Sequence, residues 1–142
     1  MRKLFHILVI DDDEDDQFLI QSAFQVDRDR YQFRFASNGT DVLENILKPD
    51  SLPDLIFLDL NMPIINGFEV LKHIKSVTTY RHIPIIILST SDDEQDINRC
   101  YELGASTFMV KPASHGDLME LANLVRMYWF SLARIPTQRT NN

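Results

Sequence analysis

Apolar residues along this chain fall into two alternating patterns. Short runs rich in apolar residues are typical of strands buried in a parallel sheet, and longer stretches with a helical repeat are typical of amphipathic helices. The strand candidates are Phe5–Ile10, Tyr31–Ala36, Leu55–Leu58, Ile83–Leu88 and Thr107–Val110. The helix candidates lie near Glu14–Val26, Gly39–Leu47, Gly67–Val77, Asp93–Leu103 and His115–Ala133. The pattern therefore predicts five strands that alternate with five helices.

Two of the helical stretches carry more detailed signals. In the first, apolar residues recur at roughly helical spacing, and the buried face is predicted to include Phe18, Ile20, Ala23 and Phe24. In the fourth, Ser91 or Asp92 can cap the start of the helix. Gly104 follows the predicted end of that helix, as a C-terminal cap would.

Strict alternation of strands and helices predicts an α/β fold. Parallel strands need crossover connections, whose helices cover both faces of the sheet. Five units fit a flavodoxin-like (βα)5 doubly wound parallel sheet with strand order 2-1-3-4-5. In that order the switch point lies between the first and third strands, and ligands bind beyond the carboxyl ends of the strands there. We expect one domain over residues 1–134 and a polar tail over 135–142.

The two strands at this switch point both end in carboxylates. Asp11, Asp12 and Asp13 follow the first strand, and Asp59 follows the third. Crowded negative charges are unfavourable unless a cation joins them. A site with few protein ligands and several retained waters suits Mg²⁺ better than Ca²⁺. The sequence therefore predicts a Mg²⁺ site at this edge of the sheet.

A hydroxyl and an ammonium group follow the other two strands on this side. Ser89 comes after the fourth apolar run, and Lys111 comes after the fifth. Both can bind the oxygens of a phosphoryl group, and a carboxylate can attack phosphorus to form an acyl phosphate. Asp59 is the predicted acceptor, with the metal and Lys111 neutralising the charge of the transferred group.

Composition narrows the class of protein. The 142 residues are 44% hydrophobic and 25% charged, as in ordinary globular domains. A net charge of −7 argues against nucleic-acid binding, which needs clustered Lys and Arg. No apolar stretch has the length of a membrane span, and the N-terminus lacks the features of a signal peptide. The single cysteine, Cys100, cannot form an internal disulfide, so we expect a cytoplasmic protein.

Over about residues 4 to 133 the chain resembles the receiver domain of two-component response regulators. Jointly, in this order and at this spacing, the matching motifs are highly specific. They span residues 7–13, 53–63, 84–89 and 108–112.

The resemblance implies roles for the acidic residues. Asp59 would be the phosphoacceptor. Asp12 would bind Mg²⁺ directly, and Asp11 would bind it through a coordinated water. Asn61 would supply a backbone carbonyl to the metal, together with Asp59 itself.

The resemblance also implies how the phosphoryl group would be held and sensed. Lys111 would bind the phosphate, aided by a cis bond to Pro112. Ser89 would close on the phosphoryl group as the switch hydroxyl, and Phe108 would be the aromatic switch residue that turns inward with it. Ser91 and Asn61 would tune the lifetime of the acyl phosphate. Because both side chains are short and polar, we expect a lifetime that is ordinary for the family rather than unusually long.

As a function, the resemblance implies a stand-alone, single-domain response regulator rather than an enzyme. It would accept a phosphoryl group from a histidine kinase or a phosphotransfer protein, and then bind a downstream protein. The output face would be formed by the fourth helix, the fifth strand and the fifth helix. The long last helix resembles that of regulators paired with bacteriophytochromes, and its exposed apolar residues offer a surface for a homodimer.

Two other functions, and simpler roles for some of the acidic residues, are also compatible with parts of this pattern. A phosphatase of the haloacid dehalogenase type shares the aspartyl-phosphate chemistry, but it has its nucleophile on the first strand. A receiver-like scaffold that is never phosphorylated is disfavoured because every required residue is present. Asp15 and Asp16 are interpreted as a solvated helix start, favoured by the helix dipole. The role of Asp13 beyond its local charge is left open.

Overall fold

The computed structural model describes residues 3–48 and 50–136. Five strands alternate with five helices. The strands are β1 (Phe5–Ile10), β2 (Tyr31–Ala36), β3 (Leu55–Leu58), β4 (Ile85–Ser89) and β5 (Thr107–Val110). The helices are α1 (Glu14–Ser22), α2 (Gly39–Asp41), α3 (Gly67–Ser76), α4 (Glu94–Glu102) and α5 (His115–Met127). Part of the tail predicted at 135–142, residues 137–142, lies outside the described residues.

Three shorter helical segments extend these elements. A 3₁₀ segment, Gln25–Arg30, precedes β2. Wider π-type turns continue α2 over Val42–Ile46 and α5 over Tyr128–Leu132. The second and fifth helices therefore extend close to the ends that the sequence predicts, with a change of winding in their last part.

All five strands are parallel and lie in the order β2-β1-β3-β4-β5, so the predicted fold class and strand order are confirmed. Ile10 of β1 pairs with both Ala36 of β2 and Leu58 of β3. These three residues are the last of their strands. The register therefore brings the carboxyl ends of the central strands to one level, where the side chains that follow them meet.

The core consists of two apolar layers, one on each face of the sheet. Successive strand residues point to opposite faces, so Val9 and Ile10 enter different layers. One layer packs under α2, α3 and α4, and the other packs under α1 and α5. Every residue of β3 is fully buried, as expected for a central strand covered on both faces.

The first helix is shorter than the sequence predicts. It ends at Ser22, because Phe24 packs its ring edge-on against Tyr31 and Phe33 and the chain turns toward β2. Asp27 has non-helical dihedral angles within the segment that follows. The prediction that Phe18 is buried is wrong: this side chain is 66% exposed. The other three predicted residues, Ile20, Ala23 and Phe24, are buried, and Leu19 rather than Phe18 joins them.

The fourth unit differs in smaller ways. β4 starts at Ile85 rather than Ile83, since the Ile83 amide donates to the Tyr80 carbonyl in a turn. The cap of α4 is Asp93, not Ser91 or Asp92, because the Asp93 carboxylate accepts the Gln95 amide. The helix end is confirmed by Gly104, whose φ of 104° is a conformation that favours glycine.

Over residues 3–48 and 50–136, none of the helices combines the length and apolar composition needed to cross a membrane.

Candidate functional site

Three carboxylates meet at the carboxyl edge of the sheet. The Asp59 amide donates to the carbonyl of Ile10, which places the residue after β3 directly beside the residue after β1. One carboxylate oxygen each from Asp11, Asp12 and Asp59 lie within 4.8 Å of one another. Asp11 and Asp59 are buried, whereas Asp12 is exposed. The cluster is therefore a small acidic site that opens to solvent on the Asp12 side.

Lys111 supplies the positive charge of this site. Its amide donates to the carbonyl of Ser89 at 2.7 Å, so the residue after β5 is held against the end of β4. Its ammonium nitrogen lies 2.9 Å from Asp11 Oδ2, 2.8 Å from Asp16 Oδ2 and 3.8 Å from Asp59 Oδ2. One ammonium group thus faces three carboxylates. Its two shortest ion pairs are to Asp11 and Asp16 rather than to Asp59.

Burial decides the pKa values of the two buried acids. Removal from water raises the pKa of Asp59 to about 6, against the lowering effect of the nearby Lys111 charge. Burial also raises the pKa of Asp11, although the Asp13 amide and Lys111 both lower it. Burial alone would lower the pKa of Lys111, but hydrogen bonds to Asp16 and Asp11 raise it above its ordinary value.

Hydroxyl and amide groups form the opposite wall of the site. Ser89 is fully buried, and its Oγ accepts the amide of Ser91 at 3.1 Å. The Asn61 side-chain amide lies 3.5 Å from Ser89 Oγ and 3.2 Å from Thr90 Oγ1. The Asn61 backbone amide donates to Asp59 Oδ1 at 3.2 Å. The loop after β3 is therefore tied both to its own carboxylate and to the end of β4.

A glycine allows this loop to fold back on itself. The Gly67 amide donates to the Leu60 carbonyl, so the start of α3 lies against the backbone that carries Asp59. A Cβ atom at Gly67 would lie 2.6 Å from the Leu60 Cα, too close for any other residue without a backbone shift. Ile64, at the exposed tip of the loop, has a φ of 68°, which is unusual for a β-branched residue.

The structure brings together most of the predicted site residues, with one clear exception to their expected geometry. Asp11, Asp12, Asp59, Asn61, Ser89 and Lys111 all lie around the acidic cluster. Phe108 is half-buried and packs against the core layer beneath α4. The bond from Lys111 to Pro112 is trans, not cis. The trans isomer is the lower in energy by about 0.5–1 kcal/mol, and Lys111 reaches its acidic partners from it.

Sequence reasoning missed the role of Asp16. A solvated helix start describes Asp15, which is exposed, but not Asp16, which is half-buried and pairs with Lys111. The signal lies in the spacing: the first turn of α1 directs Asp16 back toward the residue after β1. Asp13 also has a local role, because its carboxylate caps α1 by accepting the amides of Asp15 and Asp16.

Comparisons with known proteins agree with this fold. A family model described as the response regulator receiver domain matches residues 7–123. The probable methanogenesis regulatory protein FilR2 of Methanothrix harundinacea is 30% identical over 136 residues, with 93% of this chain and 88% of FilR2 covered. Response regulator Rcp1 of Synechocystis is 27% identical over 135 residues, with 92% of each chain covered.

Solved structures give the same result. The phosphorylated cyanobacterial phytochrome response regulator RcpA superposes with a TM-score of 0.88 at 31% identity, covering 94% of this chain and 99% of RcpA. The Mn²⁺-bound form of Rcp1 superposes with a TM-score of 0.84 at 27% identity, with the same coverage.

The fold and the acidic site thus define a receiver of the flavodoxin-like class. The chain belongs to the response regulator receiver domain family of two-component signalling systems. Receiver domains are signalling proteins that interact with histidine kinases and downstream targets, and they bind Mg²⁺ or Mn²⁺ at an acidic pocket.

Proposed function

We propose that Asp59 is the phosphoacceptor of a Mg²⁺-dependent response regulator. The observation that carries this proposal is the position of Asp59: a buried carboxylate at the switch point of the sheet, 3.8 Å from the Lys111 ammonium group. Its pKa of about 6 leaves it mostly ionised at neutral pH, so it is available as a nucleophile. Its burial removes competing water from the reacting oxygen.

The residues present fit a hard divalent cation. Three carboxylate oxygens lie within 4.8 Å of one another, and two of these acids are buried in a site whose only close cation among the described residues is Lys111. Asp12 and Asp59 would hold the ion directly, the Asn61 carbonyl would complete the set, and Asp11 would act through a water. Bound Mg²⁺ would supply charge neutralisation at the phosphoryl oxygens.

The transfer itself needs a donor with a labile phosphoryl group, which we take to be the phosphohistidine of a histidine kinase or phosphotransfer protein. An Asp59 oxygen forms a bond to phosphorus while the phosphorus–nitrogen bond of the donor breaks. The bonding electron pair leaves with the imidazole nitrogen, which takes up a proton from solvent. The charge that Asp59 loses when the acyl phosphate forms is replaced by the larger charge of the phosphoryl oxygens.

Lys111 and Ser89 are positioned to respond to that new charge. Lys111 can shift from Asp16 toward a phosphoryl oxygen, because it is already within 3.8 Å of Asp59. Ser89 can rotate its hydroxyl toward the same group. Phe108 would follow that movement, and the face formed by α4, β5 and α5 would then change its affinity for a downstream protein.

The proposal also covers the location, the partners and the oligomeric state of the protein. A single receiver domain over residues 1–134 would act in the cytoplasm and bind its output partner through protein contacts, with no nucleic-acid or membrane contact. Its only catalysis would be its own phosphorylation and dephosphorylation. A phytochrome-type kinase is the proposed donor, supported by the similarity to RcpA. A homodimer would use exposed α5 residues such as Leu124 and Met127.

The experiment is intact-protein mass spectrometry after incubation with acetyl phosphate and Mg²⁺. We expect an added mass of one phosphoryl group, dependent on Mg²⁺ and absent from Asp59→Asn. Failure of the wild-type protein to gain this mass, with any small-molecule donor, would support a scaffold that is not phosphorylated. Continuous hydrolysis of phosphomonoesters would instead support a phosphatase of the haloacid dehalogenase type.

A further inference from the structure

A continuous chain of hydrogen bonds joins the end of β4 to the first turn of α4. The oxygen of Ser89 accepts the amide of Ser91 at 3.1 Å. The hydroxyl of Ser91 donates to Asp96 Oδ2 at 2.8 Å. The same hydroxyl oxygen accepts the amide of Asp93 at 3.2 Å. Ser91 thus contacts the predicted switch hydroxyl with its backbone and α4 with its side chain.

The bond between Ser91 and Asp96 is not needed to cap the helix. Asp93 already caps α4, because its carboxylate accepts the Gln95 amide at 2.8 Å. Asp96 lies in the first turn of the helix, and its carboxylate accepts a hydrogen bond from a hydroxyl group outside the helix. An additional contact between a helix carboxylate and the loop before it restrains the relative position of the two segments, beyond what helix formation requires.

The other end of α4 is held by different contacts. The Tyr101 hydroxyl accepts the amide of Phe108 in β5 at 3.0 Å. The Arg99 guanidinium lies 4.2 Å from the ring centre of Phe68 in α3. Along α4 itself Cys100 is the single buried residue, so the first turn has little apolar packing of its own. The first turn is therefore the part of α4 that the loop contacts can move at the lowest cost.

We infer that Ser91, acting through Asp96, couples the position of Ser89 to the first turn of α4; this inference rests on the proposed function. When Ser89 turns its hydroxyl toward a phosphoryl group on Asp59, its oxygen leaves the Ser91 amide. A half-buried amide that loses its acceptor shifts until it finds another. Because the Ser91 hydroxyl is bonded to Asp96, that shift moves the start of α4 while Tyr101 holds its end.

The test is a set of ¹H–¹⁵N spectra recorded with and without Mg²⁺ and beryllofluoride, a phosphoryl mimic. In the wild-type protein we expect amide shifts near the site, at Asn61 and Lys111, and in the first turn of α4, residues 94–97. Ser91→Ala and Asp96→Ala remove the same hydrogen bond from opposite ends. Each should keep the site shifts and reduce the shifts of the first turn to less than half of the wild-type values.

Three further variants separate coupling from a general effect on stability. The double variant Ser91→Ala/Asp96→Ala should lose no more of the first-turn shift than either single variant, since both act through one bond. Ser91→Thr keeps the hydroxyl and should restore the shift. Asp92→Asn removes an exposed neighbouring carboxylate and should behave as wild type.

The possible outcomes separate a failure of the Ser91–Asp96 coupling from a failure of the proposed function of Asp59. If a folded Ser91→Ala or Asp96→Ala variant shows first-turn shifts as large as those of the wild type, the coupling is overturned and the phosphoacceptor role stays intact. Wild-type protein whose amide shifts change at Asn61 and Lys111 but not in residues 94–97 would also overturn the coupling alone. No response at Asn61 and Lys111 in the wild type would remove the proposed function, and the coupling with it.

Discussion

Replacing Asp59 with asparagine should stabilise the metal-free protein at neutral pH. The carboxylate is only 5% exposed, and burial raises its pKa from 3.8 to about 6. The folded state therefore binds the Asp59 proton more tightly than the unfolded state does. Stability must then fall as the pH rises from about 4 to about 6, and the loss stays complete above that range. An amide in the same place carries no charge and avoids this loss.

The expected size follows from the pKa difference. Each pKa unit corresponds to about 1.4 kcal/mol, so a rise from 3.8 to about 6 gives about 3 kcal/mol. The Asp59→Asn variant should be more stable than the wild type by about this amount at pH 7 and by close to nothing below pH 4. In thermal unfolding near neutral pH the gain corresponds to about 5–10 °C in Tm.

The assay is urea unfolding of both proteins between about pH 4 and pH 8 in the presence of a chelator. The difference between the two proteins is the quantity to compare, because the raised pKa of Asp11 contributes to both curves. Asp92→Asn makes the same chemical change at an exposed carboxylate and should have little effect at any pH. A destabilised Asp59→Asn at pH 7, or a gain of equal size at pH 4 and pH 8, would refute the reasoning.

Three other perturbations give further predictions. Lys111→Met leaves Asp11 and Asp59 without their cation and should cost about 3–5 kcal/mol in urea unfolding at pH 7; a cost below about 1 kcal/mol would contradict the ion-pair account. Magnesium chloride should raise the unfolding midpoint of the wild type with concentration, and far less that of Asp12→Asn; equal responses would argue against the metal site. Gly67→Ala should cost about 1–3 kcal/mol and slow phosphorylation, because its Cβ meets the backbone after Asp59. Gly116→Ala, where a Cβ meets nothing within 4 Å, is the matched control, and equal effects of the two substitutions would contradict this reason.

The strands and their order could be predicted from sequence because the physical signal for them is strong. Residues 7–10 of β1 and all of β3 are buried on both faces, which requires unbroken apolar sequence there. Right-handed crossovers then leave few ways to order five parallel strands. The convergence of Asp11 and Asp59 follows from that order alone, without any knowledge of the side chains between them.

Features that depend on side-chain packing were harder to predict. The end of α1 is set by the contacts of Phe24 with β2, which no local pattern contains. Phe18 is exposed because it lies two residues before the buried Ile20, and residues at that spacing point to nearly opposite sides of a helix. The ion pair of Asp16 required a three-dimensional contact with Lys111, 95 residues away in the chain. The trans bond before Pro112 departs from a property that only the family resemblance implied.

Borohydride trapping of the phosphorylated protein tests the central claim most directly. Borohydride reduces an aspartyl phosphate to homoserine, and peptide mass mapping then locates the modified residue. After incubation with acetyl phosphate and Mg²⁺, the account predicts homoserine at position 59 and at no other aspartate. Homoserine at Asp11 or Asp12 in place of Asp59, or none at all in protein shown to be folded, would contradict it.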